Sequence, residues 1–220
     1  MRLPGGVDPY APGVIIRPWL VALLLSGAIT ACTEGSPTVP AAPADLTASA
    51  AAAAPVPGLS LPVDPLTPLV PAPDEVPTAM VPLLTGSGRR DAAAIAGFSG
   101  DAKAAAAALA AHGFTSAYVA QYADPASARV LSVVVVRFAT PEGASADLDG
   151  DVAGSSGELV RATTVGTVSQ LRRQPLPGGG ELLTLRFRKG ATTWLLAYGD
   201  RPTADVEVAL RLGRLLADRA

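Results

Sequence analysis

The chain of 220 residues holds one cysteine, Cys32, one histidine, His112, and only two lysines, Lys103 and Lys189. Each scarcity excludes something. A lone cysteine forms no internal disulfide, so the fold must rest on its own core. Zinc sites built from several His and Cys ligands are excluded by count. A serine nucleophile would have to recruit His112 as its base, and no G-x-S-x-G elbow is present to hold one. The Gly178-Gly179-Gly180 run is followed by a strand pattern, so it is neither a P-loop nor a dinucleotide fingerprint. No basic patch points to nucleic acid, and the formal net charge is −2. No cofactor is implied.

What is present begins with an apolar run, Trp19 to Ala31 (WLVALLLSGAITA), preceded by Arg17. At a rise of about 1.5 Å per residue this run covers about 20 Å, short of the roughly 30 Å of a bilayer core. The length and basic flank fit a secretory signal peptide over residues 1–31. The run closes on Ile29-Thr30-Ala31-Cys32, which resembles the lipobox of bacterial lipoproteins. That resemblance implies diacylglyceryl transfer to the Cys32 sulfur, cleavage between Ala31 and Cys32, and an extracytoplasmic protein held on the cell membrane by its lipid. Two or three acyl chains hold stably where one holds weakly. The preceding stretch, with Asp8 and three prolines, is long for a basic leader, and a start at Val14 would give a more ordinary one. Fifteen arginines in an Ala-, Gly- and Pro-rich chain fit a high-GC genome such as an actinobacterium's.

Residues 33–88 hold 12 of the 21 prolines, five acids and no Lys or Arg. Proline lacks the backbone donor and fixes φ, which breaks helices and central strands. The expectation is a disordered Pro/Ala-rich tether over 32–88, with polyproline-II character. Its stretch LSLPVDPLTPLVP is unusually apolar, so it either rests on the folded domain or offers a docking segment.

From Arg89 to Ala220 the charge mix is normal and the length suffices for one globular domain. A short helix is expected over Arg90 to Ala96. Asp101 to His112 reads as an alanine-rich helix closed by Gly113 at the left-handed C′ position. Ser116–Tyr122 and Arg129–Ala139 read as strands, the second central because of its four consecutive valines. Thr140 caps a helix with Pro141 at its first position. Strands follow over Thr163–Arg173, Glu181–Arg188 and Thr192–Tyr198, the middle one alternating Leu and Phe with an exposed Thr184, Arg186 and Arg188. Thr203 then caps a helix to about Asp218, with Val206, Leu210, Gly213 and Ala217 on one face. The result is an α/β (α+β) domain: a single largely antiparallel sheet covered by helices, in the order α-β-β-α-β-β-β-α. This layout and the phrase VVVVRFATPEGA resemble the small α/β lipoproteins of actinobacteria, some with a PsbP-like sandwich. The resemblance covers about residues 100–220 and carries no catalytic motif.

Three constellations bear on chemistry. His112 sits at a helix end, where a protonated imidazole complements the dipole. Trp194 and Tyr198 share a strand face with Thr192 and Leu196 and are candidates for lining a ligand groove, although such faces usually pack under a helix. Asp147, Asp149, Asp151 and Glu158 fall at positions 1, 3, 5 and 12 of an EF-hand-like stretch. Val152 occupies the position that needs glycine, and the favoured reading is an acidic helix end with no metal. The expected function is a monomeric, non-enzymatic binding module for a lipid, an envelope component or a protein. The alternatives are a carboxylate-dependent hydrolase and a calcium-binding surface domain. Clustered surface carboxylates with raised pKa in a deep pocket would favour the hydrolase; a deep apolar cleft without them would favour a lipid carrier.

Overall fold

A computed structural model describes residues 64–126 and 129–220. The expected signal peptide, its cleavage site at Ala31, the lipidated Cys32 and the tether up to residue 63 lie outside the described residues. Eight strands form one sheet: β1 (Val81–Pro82), β2 (Gly88–Arg90), β3 (Phe114–Ala123), β4 (Val130–Phe138), β5 (Glu158–Val160), β6 (Val168–Pro175), β7 (Glu181–Lys189) and β8 (Thr192–Asp200). Four α-helices accompany it: α1 (Ala92–Ala96), α2 (Ala102–Ala111), α3 (Pro141–Ala153) and α4 (Val206–Asp218). The sheet order is β1-β3-β4-β8-β7-β6-β5, with β2 also paired to β3, and every pairing is antiparallel.

The expected order is therefore present as α2-β3-β4-α3-β6-β7-β8-α4, with β4 and its valines inside the sheet. Local chemistry sets the helix starts. Asp101 accepts from the Ala104 amide at 2.9 Å, and Thr140 accepts from the Gly143 amide at 3.1 Å with Pro141 in the first turn. Strands β1, β2 and β5 are additional to that order, several boundaries shift by a few residues, and two of the shifts have a clear local cause. Asp205 rather than Thr203 caps α4, accepting from the Glu207 amide at 2.8 Å. β6 starts at Val168 rather than Thr163, because the Val165 amide donates to the Ser169 hydroxyl at 2.9 Å instead of joining a ladder.

Strand alternation gives the sheet two buried faces. On the first, Leu131 pairs with Tyr122 and Tyr198, and Trp194 with Val135 and Phe187. Helix α4 covers this face with Ala209, Leu212 and Leu216. So does a strap of residues 64–80, whose Leu66, Leu69, Val70, Val76 and Met80 belong to the same core. Here the structure departs from a disordered tether reaching residue 88. Proline excludes a helix or a central strand, yet it suits a sequence of tight turns, and the leucines between the prolines point inward. The strap's carbonyls are taken by side chains of the domain. Trp194 Nε1 donates to Leu69 O at 3.0 Å, Tyr122 Oη donates to Pro71 O, and Arg219 donates to Pro68 O and Val70 O, each at 3.2 Å. Arg219 also pairs with Glu75.

The second face is lined by α1, α2 and α3 around Ala96, Leu109, Ala117, Val136, Phe138 and Ala144. Two glycines of α3 act in opposite senses. A Cβ on Gly143 would collide with the His112 carbonyl oxygen, so glycine lets α3 start against the end of α2. Gly150 lies inside the helix with open space where its Cβ would stand. Gly143→Ala should therefore destabilise by about 1–3 kcal/mol, through the shift forced on a packed junction. Gly150→Ala should stabilise by up to about 1 kcal/mol through helix propensity. Urea unfolding of both variants checks the signs, and equal signs would refute this account of the α2–α3 junction.

Candidate functional site

Between the second sheet face and helices α1 to α3 lies a cavity of about 390 Å³, within the roughly 300–1,000 Å³ of small-molecule sites. Its floor follows from strand register. Val136 neighbours Thr193, Val134 neighbours Leu195, and Ser132 lies one row further along β4. Leu195 in turn pairs with Arg186 of β7. The walls are Ile95 of α1, Phe98, and the alanine-rich side of α2 with Leu109. Alanine keeps α2 helical without side chains that would fill the space beneath it.

Charge enters from α3. Asp147 and Asp151 stand one turn apart on the same side of the helix, and both line the cavity together with Leu148. Thr193 Oγ1 donates to Asp147 Oδ2 at 3.3 Å. Arg186 is almost fully buried, with Nε 3.6 Å from Asp151 Oδ2. Burial, and then the neighbouring Asp151 charge, push the Asp147 carboxyl up to about 7, while the Thr193 hydrogen bond acts the other way. A carboxyl in that position exchanges its proton near neutral pH. His112 closes α2 as its C-cap and also lines the cavity. Its Nδ1 is buried without a hydrogen-bond partner among the described residues.

The structure sorts the residues singled out in the sequence. Trp194 borders the cavity, but its ring packs on the opposite face of the sheet, stacked on Phe187 at 4.9 Å between centroids. Tyr198 is buried on that same face, donating to Asp200 at 2.8 Å. They form core under α4 and the strap, not a groove, because apolar cover on that face leaves them no solvent. The four acids of the calcium spacing are not brought together. Asp147 and Asp151 face the cavity, Asp149 is exposed on α3, and Glu158 is exposed in β5. Residues 147–153 are helix rather than loop, so side chains two apart diverge. Among the described residues no group of three or more His, Cys, Asp or Glu could hold a metal ion.

Thr184 and Arg186 alternate with apolar residues as an exposed strand face would, yet both are buried. Helix α3 packs over β7 and β8 and supplies the carboxylate beside Arg186. An arginine in mid-strand, preceded by a helix with acids four apart, was the available signal for this site. Chemically, both carboxylates approach from one wall. They do not flank a bond from two sides, as an acid–base pair on a glycoside would. The arrangement is an apolar chamber with one polar wall.

No protein-family model and no curated protein matches the chain. Among solved structures, the extracellular domain of PknH from Mycobacterium tuberculosis is similar in fold, with a TM-score of 0.51 at 12% identity. The match covers 69% of this chain and 92% of that one.

Proposed function

We propose that this chain is an extracytoplasmic binding module, held on the membrane through Cys32, whose cavity receives a small amphipathic molecule and performs no chemistry on it. The observation that carries the reading is the cavity itself, with apolar walls from α1, α2 and the sheet and one polar wall from α3 and β7. The location is supported by the apolar run ending in Ala31-Cys32 and by the fold shared with an extracellular domain. Among the described residues no helix is long and apolar enough to cross a membrane.

A carboxylate-dependent hydrolase is the second reading, and Asp147 is the observation that favours it. Against it, Asp151 is set against Arg186 on the same wall as Asp147, and Asp101 is committed to capping α2. Asp147 is thus left without a second uncommitted carboxylate for an acid–base pair, and binding is the better account.

One experiment tests attachment and cavity together. The protein is extracted from its own membrane in mild detergent and weighed by native and denaturing mass spectrometry. The expected result is a mass increment that survives denaturation and disappears in Cys32→Ala, plus a second, non-covalent increment lost on denaturation. Ala105→Phe, which fills the chamber from α2, should remove the second alone. An unmodified Cys32 would refute the anchor; a non-covalent increment unaffected by Ala105→Phe would refute the cavity as its site.

A further inference from the structure

Building on the reading of the cavity as a binding site, we propose that its ligand carries a protonated amine, received by the Asp147 carboxylate, with an apolar tail lying against Ile95, Phe98, Leu109 and Val134. The charges around the cavity point to such a head. Five ionisable side chains line the cavity: Asp101 and His112 of α2, Asp147 and Asp151 of α3, and Arg186 of β7. Asp101 is committed to capping α2 through the Ala104 amide. Arg186 and Asp151 stand 3.6 Å apart and balance one another. Arg188, two residues along β7, pairs in register with Thr193 and is not among the lining residues. Two groups remain: His112, whose buried Nδ1 has no hydrogen-bond partner, and Asp147, with one hydrogen bond from Thr193 Oγ1 and no ion pair, both among the described residues.

An anionic head placed beside α3 would meet the Asp147 and Asp151 carboxylates against one guanidinium, Arg186, that already has its counter-charge. An ammonium head reverses that balance. It supplies the counter-charge that Asp147 lacks, and it offsets both causes of its raised pKa, the burial and the repulsion from Asp151. An ammonium also has three donors, enough to engage a carboxylate oxygen and still meet the Ser132 or Thr193 hydroxyl on the floor. The tail follows the apolar surface between the α2 alanines above and the β4 valines below.

Binding of such a head is linked to the Asp147 proton. Below about pH 7 the carboxyl is largely protonated, and the ammonium must displace that proton to bind. The affinity therefore rises with pH through neutrality and levels off above it.

The test uses the mature protein and three probes of equal tail: octylamine, octanol and octanoate, titrated calorimetrically at pH 5.5 and pH 8. The expected order at pH 8 is amine over alcohol by about tenfold or more, with octanoate weakest. At pH 5.5 the amine should fall by about tenfold to thirtyfold, toward the alcohol, because the ionised fraction of Asp147 drops about thirtyfold between the two pH values. Asp147→Asn should abolish the amine's advantage and its pH dependence while leaving octanol binding in place. Melting of that variant at pH 8 verifies that it is folded. Octanoate binding as tightly as octylamine, or an amine preference that survives Asp147→Asn, would overturn the proposal alone. Failure of all three probes to bind would overturn the binding reading beneath it.

Discussion

A chain shortened to begin at Arg89 should show no cooperative unfolding transition. The strap removed by that truncation carries Leu66, Leu69, Val70, Val76 and Met80 into the main core, and Leu66 is fully buried. Deleting even one buried leucine costs about 2–5 kcal/mol. Five such side chains together approach or exceed the roughly 5–15 kcal/mol that holds a domain folded. The loss also strips partners from Trp194 Nε1 and Tyr122 Oη, leaving two buried donors unpaired. Thermal melting followed by near-ultraviolet circular dichroism checks this. A chain starting at Arg89 that melts cooperatively within a few degrees of the intact protein would return residues 64–88 to the status of a spacer. A graded version is Leu66→Ala alone, which should lower stability by about 2–5 kcal/mol.

Replacing Trp194 by alanine should cost about 3–5 kcal/mol, or roughly 10 °C in melting temperature for a domain of this size. Three losses add: the burial of the indole, the stack on Phe187, and the hydrogen bond to Leu69 O, whose carbonyl is then left inside without a donor. Trp194→Phe separates these terms. It keeps an aromatic surface against Phe187 and loses the hydrogen bond, so about 1–3 kcal/mol should disappear. If the indole instead lined an open groove, the alanine variant would sit within about 0.5 kcal/mol of the parent. Equilibrium urea unfolding decides between the two.

The parts of the fold that could be read from sequence are those where one residue type dictates local geometry. Asp101, Thr140 and Gly113 mark helix ends by side-chain capping and a left-handed backbone, and the four valines of β4 mark a strand covered on both faces. The strap could not be read that way. Proline density reports what a segment cannot form, and the burial of Leu66 and Leu69 depends on α4 and β8, more than 100 residues away. The site was obscured for a similar reason. Alternation along β7 correctly separates two faces but does not say which of them is covered, and α3 covers the one bearing Arg186. Asp147 and Asp151 stand out in the sequence, but within a calcium spacing rather than as a pair on one helix face. Their spacing suits a calcium loop as well as a helix face, and only the continuation of α3 to Ala153 separates those two readings.

The strap also orders events in time. Its fastenings join the start of the described chain to its end: Leu69 to Trp194 across 125 residues, and Val70 to Arg219 across 149. Closing loops of that length precedes any gain from the contacts themselves, so such contacts form late. A chain delivered amino-terminus first presents Leu66, Leu69 and Val70 before β8 and α4 exist to receive them. The polypeptide is thus kept from completing its fold until the last helix has emerged.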